Sequence, residues 1–199
     1  MNVPQSRAAD RRNNTLLIAA IILVAIALRP GIVAVGPILP MIIADFNLDH
    51  ATASLLTTIP GILMGLFALP TPWLARRYGR SPVLLVALAI LSVSILMRAF
   101  APNASVMLAM TFVVGAGIAV PGALFGGLVK SRFPRHTAVI MGIYSAALSL
   151  GSTVAAAISG PIARHSSSGW RTAIGIWSVL GVLAAVVWLF VMRDTQKHK

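Results

Sequence analysis

One arginine lies deep inside the first long apolar stretch and is the side chain with the clearest chemical use. Arg29 comes some fourteen residues after that stretch begins at Thr15, which is roughly 20 Å along a helix. A charge at that depth is costly and usually faces a cavity or a partner. Its planar guanidinium suits an anionic or strongly polar ligand. Two interpretations stay open: Arg29 binds a ligand, or it pairs with backbone carbonyls or with an acid on another part of the protein.

The sequence places no acid within an apolar stretch to neutralise Arg29. The acidic residues lie in the tails or beside the first connection: Asp10, Asp45, Asp49 and Asp194. The histidines also lie in connections or tails: His50, His136, His165 and His198. The chain has no cysteine, no nucleophile motif and no phosphate-binding loop. The sequence therefore predicts no enzyme, no metal site, no cofactor and no proton relay within these spans.

A glycine-proline pattern occurs in two apolar stretches. The segments 30–36 and 121–127 both read PGxxxxG. Matching interruptions in equivalent membrane segments often mark a transporter's binding site. Pro30, Gly31, Pro121 and Gly122 are therefore predicted helix breaks that line a cavity, although chance similarity explains so short a pattern equally well.

Long apolar runs determine the elements that position these residues. The chain has 199 residues, of which 58% are hydrophobic and 10% charged, and its mean hydropathy is +0.90. Too little charge remains to cover a water-facing surface, so we expect an all-α membrane protein. Six spans are predicted: Thr15–Ile43, Ala51–Trp73, Pro82–Met97, Ser105–Val129, Thr137–Ala163 and Thr172–Met192.

Basic residues cluster in alternate connections, which predicts the orientation. The net charge of +12 does not indicate nucleic-acid binding, because short basic clusters between apolar runs suit loops beside anionic lipid. With both termini in the cytoplasm, twelve of the sixteen Lys and Arg residues lie inside. Three lie outside: Arg98, Arg164 and Arg171. The predicted organisation is a cytoplasmic tail (1–14), a six-helix bundle (15–192) and a second cytoplasmic tail (193–199).

A cleaved signal peptide is the competing interpretation of the N-terminus. Basic residues precede the apolar run from Leu16, and Ala25-Ile26-Ala27 resembles a cleavage site. We favour a retained first span, because its removal would leave an odd number of spans.

The segment after the second span carries a family resemblance. Residues 72–81 read PWLARRYGRS, a tight basic turn in which Gly79 is free to take a positive φ. This resembles the loop G-x-L-A-D-R-x-G-R-[KR] of the major facilitator superfamily, and Arg77, Gly79 and Arg80 match it as the conformational loop. Arg76 replaces the motif's Asp, which puts the usual charge relay of that loop in doubt.

Further segments are similar to the cyanate-permease and nitroimidazole-transporter branch of that superfamily. They are LRP at 28–30, GPIL at 36–39, GAGIA at 115–119, MGxYS at 141–145 and GWR at 169–171. The resemblance covers the N-terminal six-helix half of a family member. It implies two inverted three-helix repeats, with the first and fourth helices lining a central cavity.

The resemblance also implies candidate substrate contacts: Arg29, Tyr144 and Ser145. An aromatic anchor near the inner membrane interface is the alternative role for Tyr144. Gly142 and Gly151 loosely match a glycine pattern of antiporters, although close helix packing explains them more simply.

The predicted function is a secondary transporter, or the N-terminal half of one, in the cell membrane. It would move a small anion or polar organic compound by alternating access. Its partners would be the lipid bilayer, the substrate and a second six-helix half, supplied by the same chain, by a homodimer or by a separate subunit. The alternatives are a truncated fragment without transport activity and a six-helix membrane scaffold.

Overall fold

The computed structural model describes the backbone of residues 3–197 and the side chains of residues 14–193. All regular structure in that part of the chain is helical. The helices are α1 (Val3–Leu28), α2 (Pro30–Val33), α3 (Val35–Phe46), α4 (His50–Ala68), α5 (Thr71–Tyr78), α6 (Arg80–Ala99), α7 (Ala104–Arg132), α8 (Thr137–His165) and α9 (Trp170–Lys197).

Six segments of this fold are long and apolar enough to cross a membrane, as predicted. They are Asn14–Phe46, His50–Ala68, Arg80–Ala99, Ala104–Arg132, Thr137–His165 and Trp170–Arg193. We number them as spans one to six. The helices of the two predicted tails extend beyond these spans, since α1 begins at Val3 and α9 ends at Lys197. Residues 1–2 and 198–199 of those tails lie outside the described residues.

The first span is interrupted twice, which divides it into α1, α2 and α3. The interruptions fall at Arg29 and Ala34. Pro30 has no N–H to donate to the carbonyl four residues earlier, so the helix cannot continue its regular hydrogen bonding there. At Pro30 and Gly31, where a break was predicted, the regular hydrogen bonding is interrupted while the backbone of Arg29 and Ala34 keeps helical angles.

The fourth span differs, because α7 runs from Ala104 to Arg132 without interruption. The expected break at Pro121 and Gly122 is therefore absent. A single proline removes one backbone hydrogen bond, and a long membrane helix tolerates that loss when its neighbours support it.

Two predicted boundaries need correction. The second span ends at Ala68 rather than Trp73, and most of the basic segment that was predicted as a turn is the helix α5. Gly79 follows α5 with a φ of 88°, which is the positive angle expected for it. Arg98 was assigned to an outer connection, but α6 continues to Ala99 and carries Arg98 into the bundle.

Span three packs against two other spans. Here α6 packs extensively against both α9 and α7, while α7 also packs on α4. On the other side, α1 packs on α8 and α9. Because the number of spans is even, both ends of the described chain lie at one end of the bundle, which we call the terminal end. The other is called the distal end.

Candidate functional site

Arg29 lies at the first interruption, where α1 gives way to α2. Its backbone is helical, with φ −80° and ψ −36°, and its carbonyl accepts the N–H groups of Ile32 at 3.1 Å and Val33 at 3.0 Å. The side chain is half-buried. Among residues 14–193, nothing forms a hydrogen bond or ion pair with its guanidinium. The group is thus fixed at its base and has all of its donors available.

Tyr144 is the sequence-predicted contact that the structure brings near Arg29. The Arg29 charge acts electrostatically on the Tyr144 hydroxyl. The phenol ring is buried and packs against Phe125 of α7 with 5.4 Å between ring centroids, and Phe125 meets Trp188 of α9 edge-on at 5.8 Å. A lipid-facing interfacial anchor would be exposed, so this burial does not fit the alternative role of Tyr144 as an anchor.

The other predicted site residues, Ser145 of span five and Pro121 and Gly122 of span four, are placed differently from Tyr144. Ser145 follows Tyr144 on α8 and is exposed, so its side chain points to a different face of the helix. Pro121 is buried within the continuous α7, and Gly122 is exposed with open space beside it. Of the two other predicted substrate contacts, Tyr144 is thus the one within electrostatic range of Arg29.

The close approach of α8 to α1 explains why Gly151 lies where it does. A Cβ placed on Gly151 would be 2.5 Å from the carbonyl oxygen of Ile26. In a regular helix the N–H of residue 30 would donate to that carbonyl, but Pro30 has no N–H. Gly142 has open space beside it. Of the two glycines in the loose antiporter pattern, Gly151 thus packs against another helix of this bundle, whereas Gly142 does not.

Arg98 was not predicted as a site residue, yet its side chain binds the backbone at the interruption in span one. Its side chain is 1% exposed, and Nη1 donates a 2.7 Å hydrogen bond to the carbonyl oxygen of Gly31. A signal was available in the sequence: the residues after Arg98 read Ala99-Phe100-Ala101-Pro102, so the apolar stretch continues beyond it. The predicted third span ended at Met97, two residues before the end of α6.

A polar and aromatic cluster ties span one to span six at the distal end. Arg171 forms a 2.6 Å ion pair with Asp45, and the indole N–H of Trp170 donates to the same carboxylate oxygen at 3.1 Å. Arg171 also donates to the Ala101 carbonyl at 3.3 Å, while Phe46 packs edge-on against Trp170. These contacts fix the end of α3 relative to the start of α9.

The basic segment ties α6 to α7 at the terminal end. Arg80 donates to the Ser131 hydroxyl at 3.0 Å and to the Gly127 carbonyl at 3.4 Å. Arg77 lies over the rings of Trp73 and Tyr78, at 5.5 Å from each centroid. The segment therefore has direct contacts across the bundle through Arg80, whereas the contacts of Arg77 stay within α5.

Comparison with known proteins places this arrangement in a family. Residues 15–199 match the model of the Major Facilitator Superfamily. The cyanate transport protein of Escherichia coli K12 is 30% identical over 86% of this chain and 44% of its own length. The 2-nitroimidazole transporter of the same organism is 30% identical over 96% of this chain and 48% of its own length. An uncharacterized transporter of Bacillus subtilis is 29% identical over 89% of this chain and 44% of its own length.

A solved structure has the same fold. A bacterial homologue of the human lysosomal transporter Spinster superposes with a TM-score of 0.77 at 18% identity. The superposition covers 90% of this chain and 43% of the other protein. The chain therefore spans about half the length of the relatives it matches, whether they are compared by sequence or by structure.

Proposed function

The chain belongs to the major facilitator superfamily, and we propose that it forms the first six-helix half of a secondary transporter that works by alternating access. It is a multi-pass protein of the cell membrane. The proposed cargo is a small anion or a small polar organic compound. The observation that carries the proposal is the half-buried guanidinium of Arg29 at the helix interruption, which has no partner among residues 14–193.

The chemistry of Arg29 selects this class of substrate. A guanidinium presents parallel donors that match a planar group with two acceptor oxygens. Relatives of this chain include a cyanate transport protein, a probable nitrate transporter and a 2-nitroimidazole transporter. Each of these named compounds is small and is either an anion or a polar planar molecule. We infer that Arg29 binds the substrate and that the Tyr144 hydroxyl lies beside it, with Ser145 as an outlying candidate.

The packing supports two inverted three-helix repeats. Exchanging spans one, two and three for spans four, five and six converts most of the main contacts into one another. The packing of span five on span six is the exception, because spans two and three touch far less. The packing of span one on span five becomes that of span four on span two, and the pair of spans three and six is unchanged. Glycines mark both equivalent crossings, since a Cβ on Gly115 would lie 2.8 Å from the Pro60 Cα, as one on Gly151 would meet Ile26.

Charge supports the proposed orientation, in which the terminal end faces the cytoplasm. Exposed basic side chains crowd that end of the bundle: Arg76, Arg77, Arg80, Lys130, Arg132, Arg135 and Arg193. At the distal end Arg171 is neutralised by Asp45, and Arg98 is buried. This excess of basic residues matches loops that stay on the cytoplasmic side. The bundle would then occupy residues 15–192, between cytoplasmic tails at 1–14 and 193–199.

Spans two and five support the proposal of a second half. They are the least buried of the six, with 22% and 28% of their most apolar windows inside the bundle. Their exposed surfaces carry small and polar residues: Ser54, Thr57, Gly61, Gly65, Gly142, Ser145, Ser149 and Thr153. Such residues promote close helix packing in membranes. We propose that another six-helix half covers this face.

The intact mass of the native protein, extracted from its own membrane, tests the source of that half. A covalent chain about twice the 20.9 kDa of this sequence would make the second half its continuation. A native species near 20.9 kDa that associates in mild detergent would make the second half a separate chain or a second copy. A native species of that size that stays monomeric and transports nothing would contradict the proposal.

Uptake by membrane vesicles tests the role of Arg29. The vesicles contain the chain together with its second half, and labelled cyanate and nitrate are the probes. Arg29→Ala should abolish uptake while the protein remains inserted, and Arg29→Lys should retain part of it because the charge remains. Arg164→Ala, which changes an exposed arginine at the distal end, serves as the control. Uptake at normal affinity by Arg29→Ala would show that Arg29 is structural.

A further inference from the structure

Arg98 is buried more completely than its hydrogen bonding explains. The side chain is 1% exposed, and one of its nitrogens, Nη1, donates to the Gly31 carbonyl. The other two nitrogens, Nε and Nη2, are buried and have no hydrogen-bond partner among the side chains and backbone of residues 14–193. Unsatisfied polar atoms in a protein interior call for a specific explanation, and here they belong to a charged group.

The free nitrogens belong to a side chain that lines a small cavity behind the helix interruption. The cavity lies between the Pro30–Val35 part of span one, Ile95 of span three, and Ile174 and Trp177 of span six. It has space for about one water-sized molecule. The indole N–H of Trp177 is not free to serve the cavity, because it already donates to the Ser159 hydroxyl at 3.1 Å.

Charge decides which occupant fits. An arginine stays protonated in proteins, and burying a charge is costly unless it is paired. No carboxylate among residues 14–193 pairs with Arg98, since Asp45 binds Arg171 and Trp170 instead. A water molecule would accept hydrogen bonds from Nε and Nη2 but would leave the positive charge uncompensated. An anion satisfies the two donors and the charge together.

We propose that Arg98 and the helix interruption form a binding site for one small monovalent anion, distinct from the site at Arg29. The anion would accept hydrogen bonds from Nε and Nη2 and so hold Arg98 against the Gly31 carbonyl. The cavity holds about one water-sized species, so the anion is monatomic: chloride from the medium. The inference does not depend on the proposed transport function, because binding to Arg98 requires no movement of substrate.

Direct anion binding to the unmodified chain is the first test. The purified chain, in mild detergent with gluconate as the background anion, is titrated with radiolabelled chloride. We expect saturable binding of one chloride per chain. Absence of saturable chloride binding would overturn the proposal.

Two arginine variants assign the binding to Arg98. Arg98→Met, which keeps the bulk of the side chain and removes the charge, should abolish the saturable binding. Arg164→Met, which removes an exposed charge at the same end of the bundle, should leave it unchanged. Binding that survives Arg98→Met would overturn the proposal, as would binding that Arg29→Met abolishes while Arg98→Met does not.

A crystallographic measurement keeps the proposal testable if Arg98→Met does not fold. Crystals of the unmodified chain are soaked in bromide, whose anomalous scattering locates it. A peak within hydrogen-bond distance of Nε or Nη2 of Arg98 supports the proposal. Bromide bound elsewhere, with no peak beside Arg98, overturns it.

Discussion

The first and fourth spans carry the same PGxxxxG pattern, yet they fold differently. In span one the chain is interrupted at Arg29 and Ala34, and in span four α7 continues through Pro121 to Arg132. Each proline removes one backbone hydrogen bond, so the pattern by itself does not decide whether a helix breaks.

The neighbours of the two prolines explain the difference. Behind Pro30, the buried guanidinium of Arg98 binds the Gly31 carbonyl, and Gly151 of α8 packs against the Ile26 carbonyl that the proline leaves without its usual donor. Gly117, whose carbonyl Pro121 leaves without its usual donor, also packs closely on a neighbouring helix, at Leu91. What span one has in addition is the Arg98 guanidinium, which binds the backbone at the interruption beside Arg29.

The largest difference between the two spans should appear in substrate binding. Arg29→Ala removes charged hydrogen bonds worth about 1.5–3 kcal/mol, which corresponds to roughly ten- to hundredfold weaker binding of cyanate or nitrate. Gly122→Ala, in the equivalent part of span four, should leave affinity unchanged because open space surrounds it. Calorimetric titration of the complete transporter measures both affinities. Equal losses in the two variants would remove the functional distinction between the spans.

Helix packing should be equally sensitive on both sides of the bundle. Gly151→Ala places a Cβ against the backbone of Ile26, and Gly115→Ala places one against the backbone of Pro60. Because backbone cannot move aside cheaply, each variant should lose about 1–3 kcal/mol of stability. Gly142→Ala is the control on the same helix as Gly151. The measurement is denaturant unfolding in mild detergent, and a Gly151 variant as stable as the Gly142 variant would contradict this packing.

Replacing the two prolines sharpens the comparison further. Pro30→Ala and Pro121→Ala each supply one backbone N–H, and the restored hydrogen bond is worth about 0.5–1.5 kcal/mol. Only Pro30→Ala should also weaken substrate binding, because it removes the interruption that holds Arg29. Unfolding and affinity measured on the same preparations separate the two effects. Weaker substrate binding in Pro121→Ala, with normal binding in Pro30→Ala, would contradict the role given to the interruption in span one.

The smallest effect is expected where span one meets span six. Asp45→Asn removes the ion pair with Arg171, whose side chains are 41% and 36% exposed. Partly exposed pairs contribute about 0–1 kcal/mol and are screened by salt. Unfolding at low and high salt should therefore show a small loss that shrinks as salt increases. A loss as large as that of Gly151→Ala would mean that this contact, rather than helix packing, holds the end of span one.

The spans were predictable from the sequence, because six apolar stretches of sufficient length leave a chain few alternatives to a membrane bundle. The interruption at Pro30 was predictable because proline has no N–H to donate within a helix. The interruption at Pro121 was predicted wrongly, since the support that a neighbouring helix gives to a proline is a tertiary property.

The candidate site was predictable only in part. The depth of Arg29 in an apolar stretch identified it, and the family resemblance identified Tyr144. Arg98 was predicted to lie in a connection because the third span was ended at Met97. Its contact with Gly31, 67 residues away along the chain, depends on the fold. The different roles of Gly142 and Gly151 likewise depend on which face of α8 meets α1.

The central claim is that the positive charge at position 29 binds the substrate, and charge rescue tests it most directly. The chain has no cysteine, so Arg29→Cys introduces one reactive thiol into it. The variant should not transport cyanate or nitrate. Reaction with aminoethyl methanethiosulfonate, which adds a positive charge, should restore part of the uptake, whereas the neutral methyl reagent should not. Equal uptake before and after both reagents, at the level of the unmodified protein, would contradict the claim.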